Sequence, residues 1–184
     1  MRRNTKGFTL VELIVSIAIL AVLILAIMGF VATGAQSYRT VSADVTLQTL
    51  SQQALGQLES YLIDCNGGVC LSGSTLYAVN RADDGSCTVY VFRYDESAQA
   101  LYFGSRAAIT DAASEPPEAA DMMTRNLTGF SVAFADGTTV DSADVTLNFA
   151  FRGQTLNAAE RVALRNHPAA AASYGELLAA CLNP

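Results

Sequence analysis

Twenty consecutive residues, Leu13 to Ala32, carry no charge, and Ser16 is the one polar side chain among them. A run of about 20 apolar residues is long enough to cross a bilayer as a helix. Glu12 stands directly in front of it. An ionised carboxylate inside hydrocarbon costs roughly 2.5–3.5 kcal/mol on insertion scales. A chain that keeps one there gives it a partner or a task.

Arg2, Arg3 and Lys6 precede the run. The positive-inside rule therefore leaves the N-terminus cytoplasmic and exports the chain beyond Phe30. The length suits one domain plus an anchor. The formal charge of the 184 residues is −6, and removing residues 1–7 with their three cations leaves −9. Nucleic acid is not indicated as a partner, because a binding face for it needs clustered positive charge.

Cys65, Cys70, Cys87 and Cys181 all fall in the exported part. An even count outside the cytoplasm fits disulfides, and four cysteines allow three complete pairings that sequence does not separate. No metal is expected: Cys65 and Cys70 lack the short CxxC spacing, and the single histidine, His167, is remote in sequence. His167 precedes Pro168 in a polar stretch and reads as a surface residue. Asp83-Asp84-Gly85 reads as a solvated turn rather than a calcium loop. Asn126-Leu127-Thr128 matches a glycosylation sequon, a triplet that arises readily by chance. No GxSxG, HExxH or phosphate-binding Gly-Lys-Ser/Thr motif occurs. The chain reads as no enzyme, and no cofactor is expected.

Three readings of the N-terminus compete. A secretory signal peptide would explain the basic start and the small residues near Ala32 to Ala35, but not the length of the run or Glu12. A plain membrane anchor leaves Glu12 without a partner. The third rests on Gly7-Phe8-Thr9-Leu10-Val11-Glu12, which resembles the processing signal of type IV pilins and pseudopilins. That resemblance implies cleavage by a prepilin peptidase between Gly7 and Phe8, then N-methylation of Phe8. Glu12 becomes mature position five, where the family keeps a glutamate. It would pair with the new amine of Phe8, within the chain or on a neighbouring subunit. Such a pair lowers the desolvation cost of both charges. The implied partners are the peptidase, other minor and major pilins or pseudopilins, and the membrane.

Helical spacing continues past the run through Val41, Val45, Leu47, Leu50, Ala54, Leu58, Tyr61 and Leu62. One helix is expected from about Phe8 to Ile63, softened at Gly29 and Gly34. Asn66-Gly67-Gly68 ends it. Strands are expected at Thr75–Val79, Thr88–Tyr94, Ala100–Phe103, Gly129–Phe134, Asp144–Phe151 and Arg161–Leu164, with turns at Asp83-Asp84-Gly85 and Asp136-Gly137. Asp111 to Asp121, with two prolines, reads as a surface loop. A mobile alanine-rich segment and a short helix, Tyr174 to Leu182, close the chain.

The expected fold is α+β and pilin-like: a long N-terminal helix packed on an antiparallel sheet. The division is a leader at 1–7, a transmembrane and assembly helix at 8–32, and an exported globular domain at 33–184. The order helix, "STLYAV", "CTVYVFRY", "ALYFG", loop, "RNLTGFSVAF", "ADVTLNFAF", "RVALRN" resembles J-type minor pseudopilins and PilW-like minor pilins. That implies a subunit at or near the tip of a type IV pilus, type II secretion pseudopilus or competence pseudopilus, priming its assembly. The rival is a membrane-anchored extracellular binding domain that never polymerises.

Overall fold

The computed structural model describes residues 9–134 and 139–183. The chain divides into two units, Met1–Ser42 and Ala43–Pro184, and helix α1, Leu10–Leu62, contributes to both. The helix is continuous through Gly29 and Gly34. In the first unit residues 9–41 are exposed, and the most apolar window has a mean hydropathy of 3.1 with none of it buried.

In the second unit α1 buries one stripe: Ala43, Leu47, Ser51, Ala54, Leu58 and Leu62. Steps of three and four residues keep these on one face. Val41 and Val45, expected on that stripe, are 59% and 56% exposed. They lie about 200° around the helix from Ala43 at 100° per residue. Ser51 is tolerated inside because its hydroxyl donates to Gln48 O at 2.9 Å. The helix ends against residues a hundred positions later. Arg165 N–H donates to Ile63 O at 3.0 Å, and Asn166 Nδ2 to Asp64 O at 3.1 Å. Arg165 Nη1 also pairs with Asp64 at 2.9 Å. These bonds satisfy carbonyls that every helix C-terminus leaves open.

Two sheets form where one was expected. The first contains β1 (Gly68–Ser72), β2 (Thr75–Arg81), β3 (Cys87–Asp95), β4 (Ala100–Ile109), β5 (Asp121–Arg125) and β9 (Ala170–Ala171), in the order β5-β4-β3-β2-β1-β9. The second is β6 (Leu127–Phe134), β7 (Ser142–Phe151) and β8 (Gln154–Ala163). All pairings are antiparallel except β1 with β9, which is parallel. Side chains alternate across a strand, and the six-stranded sheet uses both faces. Leu76, Ala78, Phe92 and Leu101 join Leu47, Ala54 and Leu58 of α1 and Val145, Leu147 and Phe149 of β7 in one core. Tyr61 of α1 stacks on Phe103 with ring centroids 4.8 Å apart and meets Tyr90 at the same distance. On the other face Val79, Cys87, Val89 and Ile109 pack against Leu177, Leu178 and Cys181 of α2, Tyr174–Leu182.

Several segments depart from the sequence expectation. Strands β1, β5 and β9 were not anticipated, and β4 and β8 are longer than expected. The β7–β8 hairpin turns on Arg152-Gly153, both at positive φ (50° and 81°) between the partners Phe151 and Gln154. That geometry belongs to a two-residue primed turn, but Arg-Gly lacks the usual Asn-Gly signature. The segment between β4 and β5 is irregular, as expected, yet it packs inward at Pro117 and Ala119. It passes so close to β4 that a Cβ at Gly104 would collide with the Glu118 carbonyl. The alanine-rich tail, expected to be mobile, pairs Ala170 and Ala171 with Val69 and Cys70. Helix α2 starts at Ser173, whose hydroxyl accepts from Glu176 N–H. It lies over Gly68, at φ 130°, where a Cβ would stand 2.5 Å from Leu177 Cδ1. The expected Asp136-Gly137 turn falls outside the described residues.

Cys87 and Cys181 form a disulfide that ties α2 to β3 across 94 residues of sequence. Cys65 and Cys70 are free and buried. The Cys65 thiol donates to Gly68 O at 3.1 Å and Val79 O at 3.2 Å. Burial pushes the pKa of both thiols up, and the charge of Glu176 adds to the rise at Cys70.

In the full-length protein in detergent, Leu58→Ala should lower the unfolding free energy in urea by about 2–5 kcal/mol, the range for a fully buried leucine truncated in a packed core. Glu59→Ala, one position round the helix, should stay within about 0.5 kcal/mol. Maleimide titration at pH 8 should find both free thiols silent in the native protein and both reactive after denaturation without reductant. Fast native labelling of either would contradict the buried placement.

Candidate functional site

The site is the start of α1. Thr9 precedes the helix, and its Oγ1 accepts from the Glu12 backbone N–H at 3.3 Å. The same hydroxyl donates weakly to Glu12 Oε2 at 3.5 Å. Leu13 N–H donates to Thr9 O at 3.2 Å. Thr9 is therefore the N-cap, and Glu12 stands at the third helical position. Thr-x-x-Glu has the spacing of a capping box, here with the carboxylate turned to the cap hydroxyl instead of its backbone N–H. A negative charge in the first turn also meets the positive end of the helix dipole, worth roughly 0.3–1 kcal/mol at an exposed site. Ser16 closes the turn by donating to Glu12 O at 2.7 Å.

Glu12 is exposed, so its carboxylate is open to a further cation. Gly7 and Phe8, the expected cleavage and methylation positions, lie outside the described residues. Thr9 is the residue that sequence reading missed, although the Thr-x-x-Glu spacing was legible.

The remaining singled-out residues lie elsewhere. His167 is exposed, sits at φ 46° and holds Asp141 through Nδ1 at 2.8 Å. Asp84 accepts from Ser86 N–H at 2.9 Å and from its hydroxyl at 2.6 Å. These bonds hold the Asp84 pKa below the usual carboxylate value. Asn126 links β5 to β6 at φ 60°, and Thr128 donates to Asn148 O. Among the described residues no group of three or more His, Cys, Asp or Glu could hold a metal ion. A half-open cleft of about 260 Å³ lies between Gln57, Ser60 and Tyr61 of α1 and Phe103, Asp121, Met122 and Met123 at the sheet edge.

The model of the prokaryotic N-terminal methylation motif matches residues 2–28, the stretch that contains the cap, Glu12 and most of the apolar run. No curated protein and no solved structure matches the chain. The motif supports a place for this chain in the type IV pilin and pseudopilin family. It implies processing by a prepilin peptidase and assembly with other pilins, and with the long apolar helix it supports anchoring in a membrane. The long helix and antiparallel-rich sheets form the α+β architecture expected of such a protein.

Thr9→Ala should fray the first turn, at a cost of about 0.5–2 kcal/mol for a lost cap. Hydrogen exchange at Leu10 to Leu13 should speed up in detergent micelles, and Thr9→Ser should restore the slow rate. Equal exchange in all three proteins would remove the cap from the account.

Proposed function

We propose that this protein is a minor pilin or pseudopilin. It waits in the membrane with its N-terminus cytoplasmic and its globular domain outside. The peptidase removes residues 1–7, Phe8 is methylated, and the mature chain joins a filament through α1. Glu12 then neutralises the amine of Phe8 on a neighbouring subunit, so a subunit in the wrong register leaves two charges unpaired in an apolar bundle. The J-type resemblance of the element order supports a place at or near the tip, where the subunit primes assembly. The host machine is a type IV pilus, a type II secretion pseudopilus or a competence pseudopilus. The role is structural, and the chain is a substrate of one enzyme rather than an enzyme. The methylation motif at residues 2–28 carries this reading.

The contact between Glu12 and Thr9 of its own chain favours a second reading, a membrane-anchored binding domain that never polymerises. In that case Glu12 has a local partner and needs no other.

The N-terminus of the protein from its native membrane decides between them. Intact-peptide mass spectrometry should find N-methyl-Phe8 as the first residue. An intact Met1 beside an active prepilin peptidase would favour the plain anchor, and a start near Gln36 would mean an ordinary signal peptide. Glu12→Ala should insert normally and lose most of its incorporation into filament, measured by shearing and immunoblot. Undiminished incorporation would remove Glu12 from the assembly role.

A further inference from the structure

A tyrosine and an arginine, Tyr38 and Arg39, follow the apolar run on the same helix. Between Glu12 and Arg39 no side chain is charged, and Arg39 is the sole cation between Lys6 and Arg81. The hydroxyl inside the run and the one directly after it are both satisfied by their own helix: Ser16 donates to Glu12 O and Thr33 to Gly29 O, at 2.7 and 3.0 Å. Polarity therefore begins at Gln36, followed by Ser37, Tyr38 and Arg39. Tyr38 is 75% exposed, and the Arg39 side chain is exposed as well. Among the described residues no carboxylate forms an ion pair with Arg39.

The spacing matches a membrane. From Leu10 to Arg39 an α-helix rises about 44 Å, and a bilayer with its headgroup layers measures about 40–45 Å. Tyrosine concentrates at membrane interfaces because its ring is apolar and its hydroxyl is not. Arginine matches phosphate through a planar fork of donors and reaches it by extending its apolar stem. Charge singles out the same residue. Beyond Arg39 the chain has seven arginines and sixteen carboxylates, a net −9 that anionic lipid repels. Arg39 is the cation that the outer headgroup layer meets first.

We propose that Tyr38 and Arg39 form a phospholipid-headgroup anchor at the outer face of the membrane. The ring lies in the interfacial layer, and the guanidinium binds the phosphate of a glycerophospholipid. The anchor fixes the depth of α1. By the rigid rise of the helix it also sets the level at which Glu12 meets the opposite face. This inference rests on the membrane-anchored reading given above.

The test uses the full-length protein in vesicles of phosphatidylethanolamine and phosphatidylglycerol. A nitroxide on Ala35→Cys reports depth through its collision rates with oxygen and a nickel chelate. The buried thiols Cys65 and Cys70 stay unlabelled in the native protein. The label should lie at the edge of the hydrocarbon. Adding Tyr38→Ala and Arg39→Gln together should move it by about 3 Å or more, two residues of helical rise. Tyr38 with Arg39→Lys should leave it in place. A double variant whose label stays within about 1.5 Å of the starting depth would overturn the anchor while leaving the membrane reading intact. A chain that does not float with the vesicles at all would overturn both.

Discussion

The globular unit is organised by one narrow stripe of α1. Leu47, Ala54, Leu58 and Leu62 are small or aliphatic, and they share one core with side chains of two sheets. Leu76, Ala78, Phe92 and Leu101 come from one sheet and Val145, Leu147 and Phe149 from the other. That helix face joins apolar side chains of both sheets in one core. The closing of the helix end by Arg165 and Asn166 follows from the same arrangement. The chain returns to Asp64 because the last strand of the small sheet delivers it there.

A second constraint arises from the first. With α1 and the small sheet on one face, the six-stranded sheet still presents Val79, Val89 and Ile109 on the other. A sheet buried on both faces needs two covers. The second is built from weakly patterned sequence: the segment between β4 and β5, and helix α2, which follows edge strand β9. The Cys87–Cys181 bond fastens this cover to β3. A crosslink closing so long a loop removes much freedom from the unfolded chain, typically about 2–4 kcal/mol. The exported location proposed for this unit would suit such a bond, since disulfides persist in oxidising compartments.

At the other end of α1, Glu12 answers the question raised by its position through several weak effects. It meets the helix dipole and the Thr9 cap in its own chain. It remains exposed, as the proposed pairing with the amine of a filament neighbour requires. Local capping makes the carboxylate tolerable in an isolated subunit, while pairing across subunits would be worth more where water is excluded.

Much of this was legible from residues alone. The apolar run, the basic leader, Glu12 and the Gly-Phe signal are local patterns, and α1 is long and periodic enough to declare itself. Strands with clear alternation, such as Thr88–Tyr94 and Asp144–Phe151, also declared themselves. The rest depended on contacts distant in sequence. Strand β8 contains Asn-Ala-Ala-Glu, a sequence with little intrinsic strand preference, and it is extended because the Arg152-Gly153 turn lays it along β7. Ala170 and Ala171 became a strand only because the edge of β1 was open to them. Val41 and Val45 lie on the side of the helix away from Ala43 and Leu47, and the position of the sheets decided which of the two sides was buried. The four cysteines announced disulfides without saying which, and the packing of α2 on β3 made the choice. Sequence by itself determined the elements whose signal lies within one helix turn or one strand. Tertiary structure decided face, edge and crosslink, because each depends on what a segment meets after a chain reversal that no local pattern encodes.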